Sequence, residues 1–448
     1  MANSAPTNSP RKVDHLVVLV HGLWGHPKHL NYLTTAIRER YPDLDVLVPE
    51  SNSGSFTYDG IELGGERVAN EVEARLEELK KDGHDINKFS ITGYSLGGLV
   101  ARYAIGLLYH KGVFEHIQPV NFTTFATPHL GVRTPLRGYT SHVWNVLGAR
   151  TLSTSGRQLF AIDKFRDTSR PILSVLADPE SIFIKALAQF KHRSLYANIA
   201  NDRTVTYYTA GISQTDPFVK PDEVKINYLP GYDQVIIDGE NPASPKEQEP
   251  APALAQRLTA STRTVFSRVP LFAFLVVFIP IGTTLFLCNS AIQSFRSQQR
   301  IRLHEMGGAG IEAGRYRVPV MLNAARKEVE DMFENVNNAQ EQEYLDADSE
   351  EVASPTQPTS PRYEGKNPVA DVESNEESKG SGVEFPALAL RQDQFKMIEA
   401  LDNVGIQKFP VYIRKDRHSH AAIIVRMEKK SFDEGRVVVR HWLDKFEV

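Results

Sequence analysis

Short apolar runs alternate with helix-type segments through the first half of the chain. The apolar runs have the length and composition of buried strands, and the segments between them repeat apolar residues at helical spacing. The predicted strands are 16–20, 44–48, 88–92 and 120–126, and the predicted helices are 28–40, 61–80 and 96–109. This alternation is typical of an α/β fold, with a mostly parallel sheet and helices on both faces.

The pattern changes after about residue 240. Residues 241–268 have the composition of a linker, and residues 341–384 are acidic, rich in Ser and Pro, and predicted to be a disordered insertion. Between these stretches, residues 269–288 carry no charge and could, as one straight helix of roughly 30 Å, cross a bilayer core. Globular character returns at residue 385, with a predicted helix at 392–401 and a predicted strand at 421–425.

A Gly-x-Ser-x-Gly motif at residues 93–97 lies between a predicted strand and a predicted helix. In this context the motif predicts that Ser95 is a nucleophile on a strained turn, where neighbouring side chains would collide with the backbone. An earlier predicted strand runs directly into residues 21–25, where α/β-hydrolases place the loop that supplies an oxyanion donor. The two signals together predict a serine hydrolase with an α/β-hydrolase fold.

A nucleophilic serine needs a histidine base, and the histidine needs an acid that fixes its tautomer. The chain order in this fold is serine, acid, histidine. Residues 194–198 and 204–208 are predicted as a pair of strands, and Asp202 in the polar turn between them is the preferred acid. Three other acids are less well placed, namely Asp178, Asp216 and Asp233.

The preferred base is His420, which stands between a basic loop and the predicted strand at 421–425. It is preferred over His418 because it directly adjoins the apolar run. His304 lies near the uncharged segment and His441 lies close to the last residue of the sequence, so both are weaker candidates.

The backbone amides of Leu96 and Leu23 are the predicted oxyanion donors, because they follow the nucleophile and the His21-Gly22 pair. Each such donor typically contributes about 3 kcal/mol to transition-state stabilisation. His21 is expected to shape its loop rather than act as a base. Residues 127–131 are expected to line the pocket, with His129 in a structural role.

Composition narrows the class of protein further. The 448 residues are 41% hydrophobic and 24% charged, which is ordinary for a globular protein, and the net charge of -4 gives no reason to expect nucleic acid as a partner. The single cysteine, Cys288, excludes an internal disulfide and a cysteine-based zinc cluster. Residues 1–12 lack the apolar core of a secretory signal, so we expect the catalytic part to face the cytosol. No cofactor or metal is expected.

The chain resembles the putative serine esterase family of α/β-hydrolases. The resemblance covers about residues 14–240 and 385–448, and it is carried by residues 21–25, 93–102, 127–131 and 198–202. Residues 418–421 and the uncharged segment make the chain most similar, within that family, to a fungal lipid-droplet phospholipase.

This resemblance implies a catalytic triad of Ser95, Asp202 and His420 and a glycerophospholipid acyl ester as substrate. It also implies action at a lipid droplet or endoplasmic reticulum membrane. A neutral glyceride lipase, an acyltransferase with the same acyl-serine intermediate, and a noncatalytic membrane scaffold are the alternatives. A complete set of serine, acid and histidine in the correct order argues against the scaffold.

Catalysis limits how the uncharged segment can enter a membrane. Ser95 precedes the segment and His420 follows it, so a single crossing would separate residues that must meet. We therefore expect either a segment lying in the interface or a hairpin that turns near Pro280 and Gly282, with arms of about 15 Å. Basic residues flank both ends of the segment, namely Arg257, Arg263, Arg268, Arg296, Arg300 and Arg302.

These predictions divide the chain into six regions. They are an N-terminal hydrolase part with the nucleophile and acid at 1–240, a linker at 241–268, a hydrophobic membrane hairpin at 269–288, an amphipathic or helical region at 289–340, a disordered acidic insertion at 341–384, and a C-terminal hydrolase part with the catalytic histidine at 385–448.

Overall fold

A six-stranded parallel sheet lies at the centre of the molecule, in a computed structural model that describes residues 13–132, 153–202, 204–219, 224–245, 291–306, 388 and 390–448. The uncharged segment at 269–288, the predicted insertion at 341–384 and most of 289–340 lie outside the described residues. Within the described ranges, no helix combines the length and apolar character that a membrane crossing requires.

The strand order of the sheet is β2-β1-β3-β4-β5-β8, and every neighbouring pair is parallel. A separate antiparallel pair is formed by β6 and β7. The strands are β1 (His15–Val20), β2 (Asp45–Leu47), β3 (Lys88–Tyr94), β4 (Gln118–Phe125), β5 (His192–Asn198), β6 (Val224–Ile226), β7 (Ala243–Pro245) and β8 (Gln407–Val411). The residues of β1, β3 and β4 are almost all buried because helices cover both faces of the sheet.

Helices pack on the two faces in two separate hydrophobic clusters. One cluster includes α2, α3, α6 and α9, and the other includes α1 and α11. The helices are α1 (Asn31–Arg40), α2 (Ile61–Lys81), α3 (Leu96–His110), α4 (Ser153–Leu159), α5 (Ile172–Leu176), α6 (Ile182–Gln189), α7 (Tyr207–Ala210), α8 (291–305), α9 (Gln392–Asn403), α10 (Ser419–Ala422) and α11 (Asp433–Lys445). The expected α/β fold with a mostly parallel sheet is therefore confirmed.

The strands and helices predicted between residues 16 and 126 are confirmed, with ends that agree within three residues. The C-terminal region completes the same structure, since β8 pairs with β5 along the sheet edge. Pro410 lies within β8, the last strand of the six-stranded sheet, and prolines are tolerated in edge strands. This strand was not predicted.

Two predicted strands are wrong. Residues 204–208 turn directly into α7, because the carboxylate of Asp202 accepts the amides of Thr204 and Val205 and so bends the chain toward Thr206, the residue before the helix. Residues 421–425 form the end of α10 and a turn instead of a strand, although all five side chains are buried. A Cβ atom on Gly435 would lie 1.8 Å from the Ala422 carbonyl oxygen, so α11 packs directly on this helical turn.

Candidate active site

Ser95 occupies the sharp turn between β3 and α3. Its φ of 55° and ψ of -129° are rare for a residue with a side chain, and its amide donates a hydrogen bond to the Phe125 carbonyl at 2.9 Å. The surrounding glycines are required by space, since a Cβ atom on Gly93 would lie 2.4 Å from the Cα atom of Gly98. The turn holds the serine hydroxyl at the carboxyl edge of the parallel sheet and at the N-terminus of α3.

The side chains of Ser95, His420 and Asp202 form one chain of hydrogen bonds. The His420 Nε2 atom lies 3.0 Å from Ser95 Oγ, and its Nδ1 atom lies 2.9 Å from Asp202 Oδ2. The Asp202 side chain is 2% exposed and the His420 side chain is 15% exposed. Because an ionised aspartate can only accept, Nδ1 donates to Asp202 and Nε2 is left to accept the serine proton. The structure brings together the three residues that the sequence predicted as a triad.

Four donors surround the Asp202 carboxylate. Besides His420, the Asn198 side-chain amide donates to Oδ2 at 3.0 Å, and the backbone amides of Thr204 and Val205 donate to Oδ1 at 2.9 Å. Burial raises the pKa of Asp202, but the charge and hydrogen bond of His420, together with the other donors, outweigh burial and lower the pKa below its ordinary value. The group is therefore ionised at neutral pH and can stabilise a protonated histidine.

Two residues that the sequence reasoning missed hold the His420 turn. The Tyr94 hydroxyl donates to the His420 carbonyl at 2.8 Å, and the two ring centroids are 5.1 Å apart. The Ser419 hydroxyl donates to the Ala200 carbonyl at 2.9 Å, which ties the turn to the loop that carries the acid. Tyr94 lies inside the Gly-x-Ser-x-Gly motif, so its position was visible in the sequence, but its partner was not.

Asp416 fixes the loop that precedes the histidine. Its carboxylate accepts the His418 amide at 2.8 Å and the Lys429 ammonium at 2.7 Å. Burial raises the pKa of Asp416, but the hydrogen bonds from Lys429, the Ser431 hydroxyl and the His418 amide outweigh burial and lower the pKa to about 2. The ionised carboxylate thus holds the start of α10.

The loop after β1 passes over the nucleophile. A Cβ atom on Gly22 would lie 2.7 Å from Ser95 Cβ and 3.2 Å from Ser95 Oγ. Leu23 is the next residue, and Leu96 is the first residue of α3, so the Leu96 amide has no acceptor within the helix. These contacts place the loop after β1 beside Ser95 and the start of α3, and the use of the Leu23 and Leu96 amides as oxyanion donors stays a prediction.

The His21 side chain points into its own loop, with Nε2 3.3 Å from Ser53 Oγ and Nδ1 3.2 Å from the Gly22 carbonyl. Burial lowers the pKa of His21, so the ring stays neutral. His129 is buried with Nε2 3.0 Å from Thr124 Oγ1, and burial lowers its pKa well below the ordinary value. Within the described residues, the ring hydrogen bonds of His21 and His129 go to groups other than Ser95, which fits the structural roles expected of them.

The weaker candidates lie elsewhere. Among the described residues, none of the alternative acids and bases is within hydrogen-bonding distance of Ser95 or His420. His304 pairs with Glu66, the Nδ1 atom of His441 is 2.8 Å from the Tyr196 hydroxyl, Asp178 pairs with Arg170, Asp216 accepts the Phe218 amide, and His418 and Asp233 are exposed. No group of three metal-ligating side chains occurs in the part of the chain that the structure describes.

A parallel sheet with a nucleophile turn after β3 is the arrangement of an α/β-hydrolase. Residues 10–215 match the family described as "Putative serine esterase (DUF676)".

Two curated proteins of Saccharomyces cerevisiae are similar to the chain. "Putative lipase ROG1" is 31% identical over 211 residues, which cover 46% of this chain and 29% of that protein. "Putative lipase YDL109C" is 30% identical over 259 residues, which cover 51% of this chain and 38% of that protein. The similarity thus spans only about a third of the length of these relatives. A solved structure, the putative cell surface hydrolase from Lactobacillus plantarum WCFS1, is also similar. The matched region covers 45% of this chain and 75% of that protein, with 11% sequence identity and a TM-score of 0.26.

Proposed function

We propose that the protein is a serine esterase that hydrolyses acyl esters of lipids, with glycerophospholipids as its substrates. The observation that carries the proposal is the hydrogen-bonded chain from Ser95 Oγ through His420 to the buried Asp202. A serine becomes a nucleophile only when such a base is adjacent and correctly oriented. The arrangement is one that acyl transfer requires and that a membrane scaffold does not.

In this reaction His420 Nε2 accepts the hydroxyl proton while Ser95 Oγ attacks the ester carbonyl carbon. The carbonyl oxygen becomes an oxyanion that the Leu96 and Leu23 amides stabilise, and Asp202 stabilises the imidazolium. The intermediate collapses when the C–O bond to the alcohol breaks and His420 returns the proton to the departing lysolipid. Water then attacks the carbonyl carbon of the acyl-serine while His420 accepts a proton from the water. His420 returns this proton to Ser95 Oγ as the acyl C–O bond breaks, which releases a fatty acid and restores Ser95.

Three observations support a lipid as the substrate. The curated relatives are named as putative lipases. Trp24, one residue after the predicted donor Leu23, is 52% exposed, and Phe56 nearby is 42% exposed. The uncharged stretch at 269–288 provides a further apolar element in the sequence. Apolar side chains exposed beside a hydrolytic site suit an ester that resides in a lipid layer.

The proposed location is the surface of a lipid droplet or of the endoplasmic reticulum, with the catalytic part facing the cytosol. Ser95 and His420 contact each other, although residues 269–288 lie between them in sequence. Any membrane entry by that stretch must therefore return to the same side, as a hairpin or as a segment in the interface.

Protease protection on sealed microsomes, with separate tags at the two ends of the chain, tests this topology. The proposal expects both tags to be digested from outside. Protection of either tag contradicts it.

The proposed reaction is tested by incubating the purified chain and Ser95→Ala with phospholipids and neutral glycerides in water enriched in oxygen-18. Mass spectrometry of the products then separates the alternatives. Labelled fatty acid and lysophospholipid that depend on Ser95 support a phospholipase, and labelled fatty acid from glycerides alone points to a neutral lipase. Acyl groups transferred to a lipid alcohol without label point to an acyltransferase. Equal products from both proteins contradict any role of Ser95.

A further inference from the structure

Helix α8 is anchored to the catalytic part by its polar face. Ser297 is fully buried, the Arg300 guanidinium donates to the Asp59 carboxylate at 2.7 Å, and His304 Nε2 lies 2.5 Å from Glu66 Oε2. The Asp59 side chain is itself completely buried. Three successive turns of α8 are therefore held by polar groups on the segment that begins α2.

The opposite face of α8 is mostly apolar and exposed. Ile292, Phe295 and Leu303, with Met306 directly after the helix, are between 50% and 74% exposed, and they account for four of the ten large apolar residues exposed in the described ranges. Gln299 is an exposed polar residue on the same face. At about 100° per residue these four side chains lie in an arc of about 80°, centred roughly opposite the buried Ser297. We call this arc the outer face of α8.

Arginines border the outer face on both sides. Arg302 lies about 20° beyond one edge of the arc and Arg296 about 20° beyond the other, and both side chains are exposed. An apolar arc with basic borders is the pattern of a helix that lies in the interface of an anionic lipid layer, where the arginines meet head groups and the apolar side chains enter the acyl boundary. The uncharged stretch at 269–288 ends only two residues before α8.

The short helix directly before Asp59 supports the loop above the nucleophile. The Trp24 amide donates to Thr57 Oγ1 at 3.0 Å, and its indole nitrogen donates to the Tyr58 hydroxyl at 2.7 Å. In the same short helix (Gly54–Tyr58), the exposed ring of Phe56 lies 4.9 Å from the Arg300 guanidinium. These contacts connect α8, through Arg300, to two exposed aromatic side chains, Phe56 and Trp24, on the segments beside the candidate active site.

We propose that the outer face of α8 is a docking surface for a phospholipid layer with anionic head groups, and that docking presents the Trp24 loop to the lipid. The occupant is a lipid layer because the arginine borders, the adjoining uncharged stretch and the exposed side chains of Phe56 and Trp24 all suit one. The proposal rests on the proposed function, since it supplies the way in which a lipid ester reaches Ser95.

The test uses the full chain with Ser95→Ala, so that vesicles stay intact and binding is measured without hydrolysis. Cys288→Ser removes the only cysteine. Phe295→Cys then carries an environment-sensitive nitrobenzoxadiazole label on the outer face. The matched control is Val448→Cys. Val448 is 43% exposed, and its neighbour Glu447 pairs with His192 at the start of β5, which lies at the amino edge of the sheet.

With vesicles of phosphatidylcholine and phosphatidylserine, we expect several-fold brighter fluorescence at position 295 and no change at position 448. Phosphatidylcholine alone should give a smaller rise, and Arg296→Gln with Arg302→Gln should remove the difference between the two vesicles. An unchanged signal at position 295 with both vesicles overturns the proposal. A bright signal there before lipid is added also overturns it, since the face would then be covered by residues 269–288 or by a second copy. Neither result depends on whether the chain hydrolyses lipids.

Discussion

Adding one methyl group at Gly22 should cripple the candidate site without unfolding the protein. The new Cβ atom would lie 2.7 Å from Ser95 Cβ and 2.9 Å from the Tyr94 carbonyl oxygen, whereas ordinary contacts begin at 3.4 Å. Either the loop with the Leu23 amide or the serine must therefore move by about 0.7 Å. Misplacements of this order in a catalytic site can cost about 100-fold in rate, which corresponds to about 2.7 kcal/mol.

The assay measures hydrolysis of a soluble short-chain nitrophenyl ester and the rate of labelling by a fluorophosphonate. We expect kcat/KM and the labelling rate of Gly22→Ala to fall together, with unfolding still cooperative. The matched control is Gly83→Ala, where a Cβ atom meets nothing within 4 Å and only the positive φ adds strain. If Gly22→Ala keeps ester hydrolysis within about threefold of the wild type, the loop after β1 does not form the oxyanion site.

Three further predictions follow from the contacts around the histidine. His420→Ala should lower ester turnover nearly as far as Ser95→Ala, because each change removes one member of the triad. Turnover of His418→Ala should stay within a few-fold of the wild type. If His418→Ala loses more activity than His420→Ala, the base is His418. Tyr94→Phe removes the hydroxyl bonded to the His420 carbonyl and should cost about 1 kcal/mol of stability in denaturant unfolding, with lower kcat and little change in KM; an unchanged kcat would show that this bond does not position the base. The folded-state pKa of Asp416, about 2, lies below the pKa of this group in the unfolded chain. The contribution of Asp416 to the free energy of unfolding is therefore complete above the unfolded pKa and is lost as pH falls through the folded pKa. The stability difference between wild type and Asp416→Asn should accordingly be constant near neutral pH, at about 1 kcal/mol, and shrink between about pH 4 and pH 2; a difference that does not change with pH would refute the ionised-carboxylate account.

The nucleophile turn was predictable because the motif and its flanking strand and helix are contiguous in sequence. The requirement for Gly93 is local, since an added Cβ atom would lie 2.4 Å from the Cα atom of Gly98, whereas an added Cβ atom on Gly97 would lie 2.3 Å from the Val20 carbonyl oxygen at the end of β1. The acid could also be proposed from the polar turn after β5, although the strand expected after Asp202 is a helix. Chain order in the fold then limited the base to the last part of the sequence.

Other features depend on contacts between distant parts of the chain. All five residues of the run at 421–425 are apolar, so hydrophobic periodicity cannot distinguish a strand from a buried helical turn there. The helical turn that the run adopts packs closely against Gly435, which is distant from the run's own local pattern. Arg300 was noted only as one of several basic residues beside the uncharged segment. Its bond to Asp59 joins residues 241 positions apart, and no local pattern reveals such a partner.

The central claim is that Ser95 is a nucleophile activated by His420. The most direct measurement is peptide mapping by mass spectrometry after reaction with a fluorophosphonate, on the wild type, Ser95→Ala, His420→Ala and the control His418→Ala. We predict one adduct on the peptide that contains Ser95, none in Ser95→Ala, strongly slowed labelling in His420→Ala and nearly normal labelling in His418→Ala. An adduct on a different serine, or equal labelling of Ser95→Ala, would contradict the account.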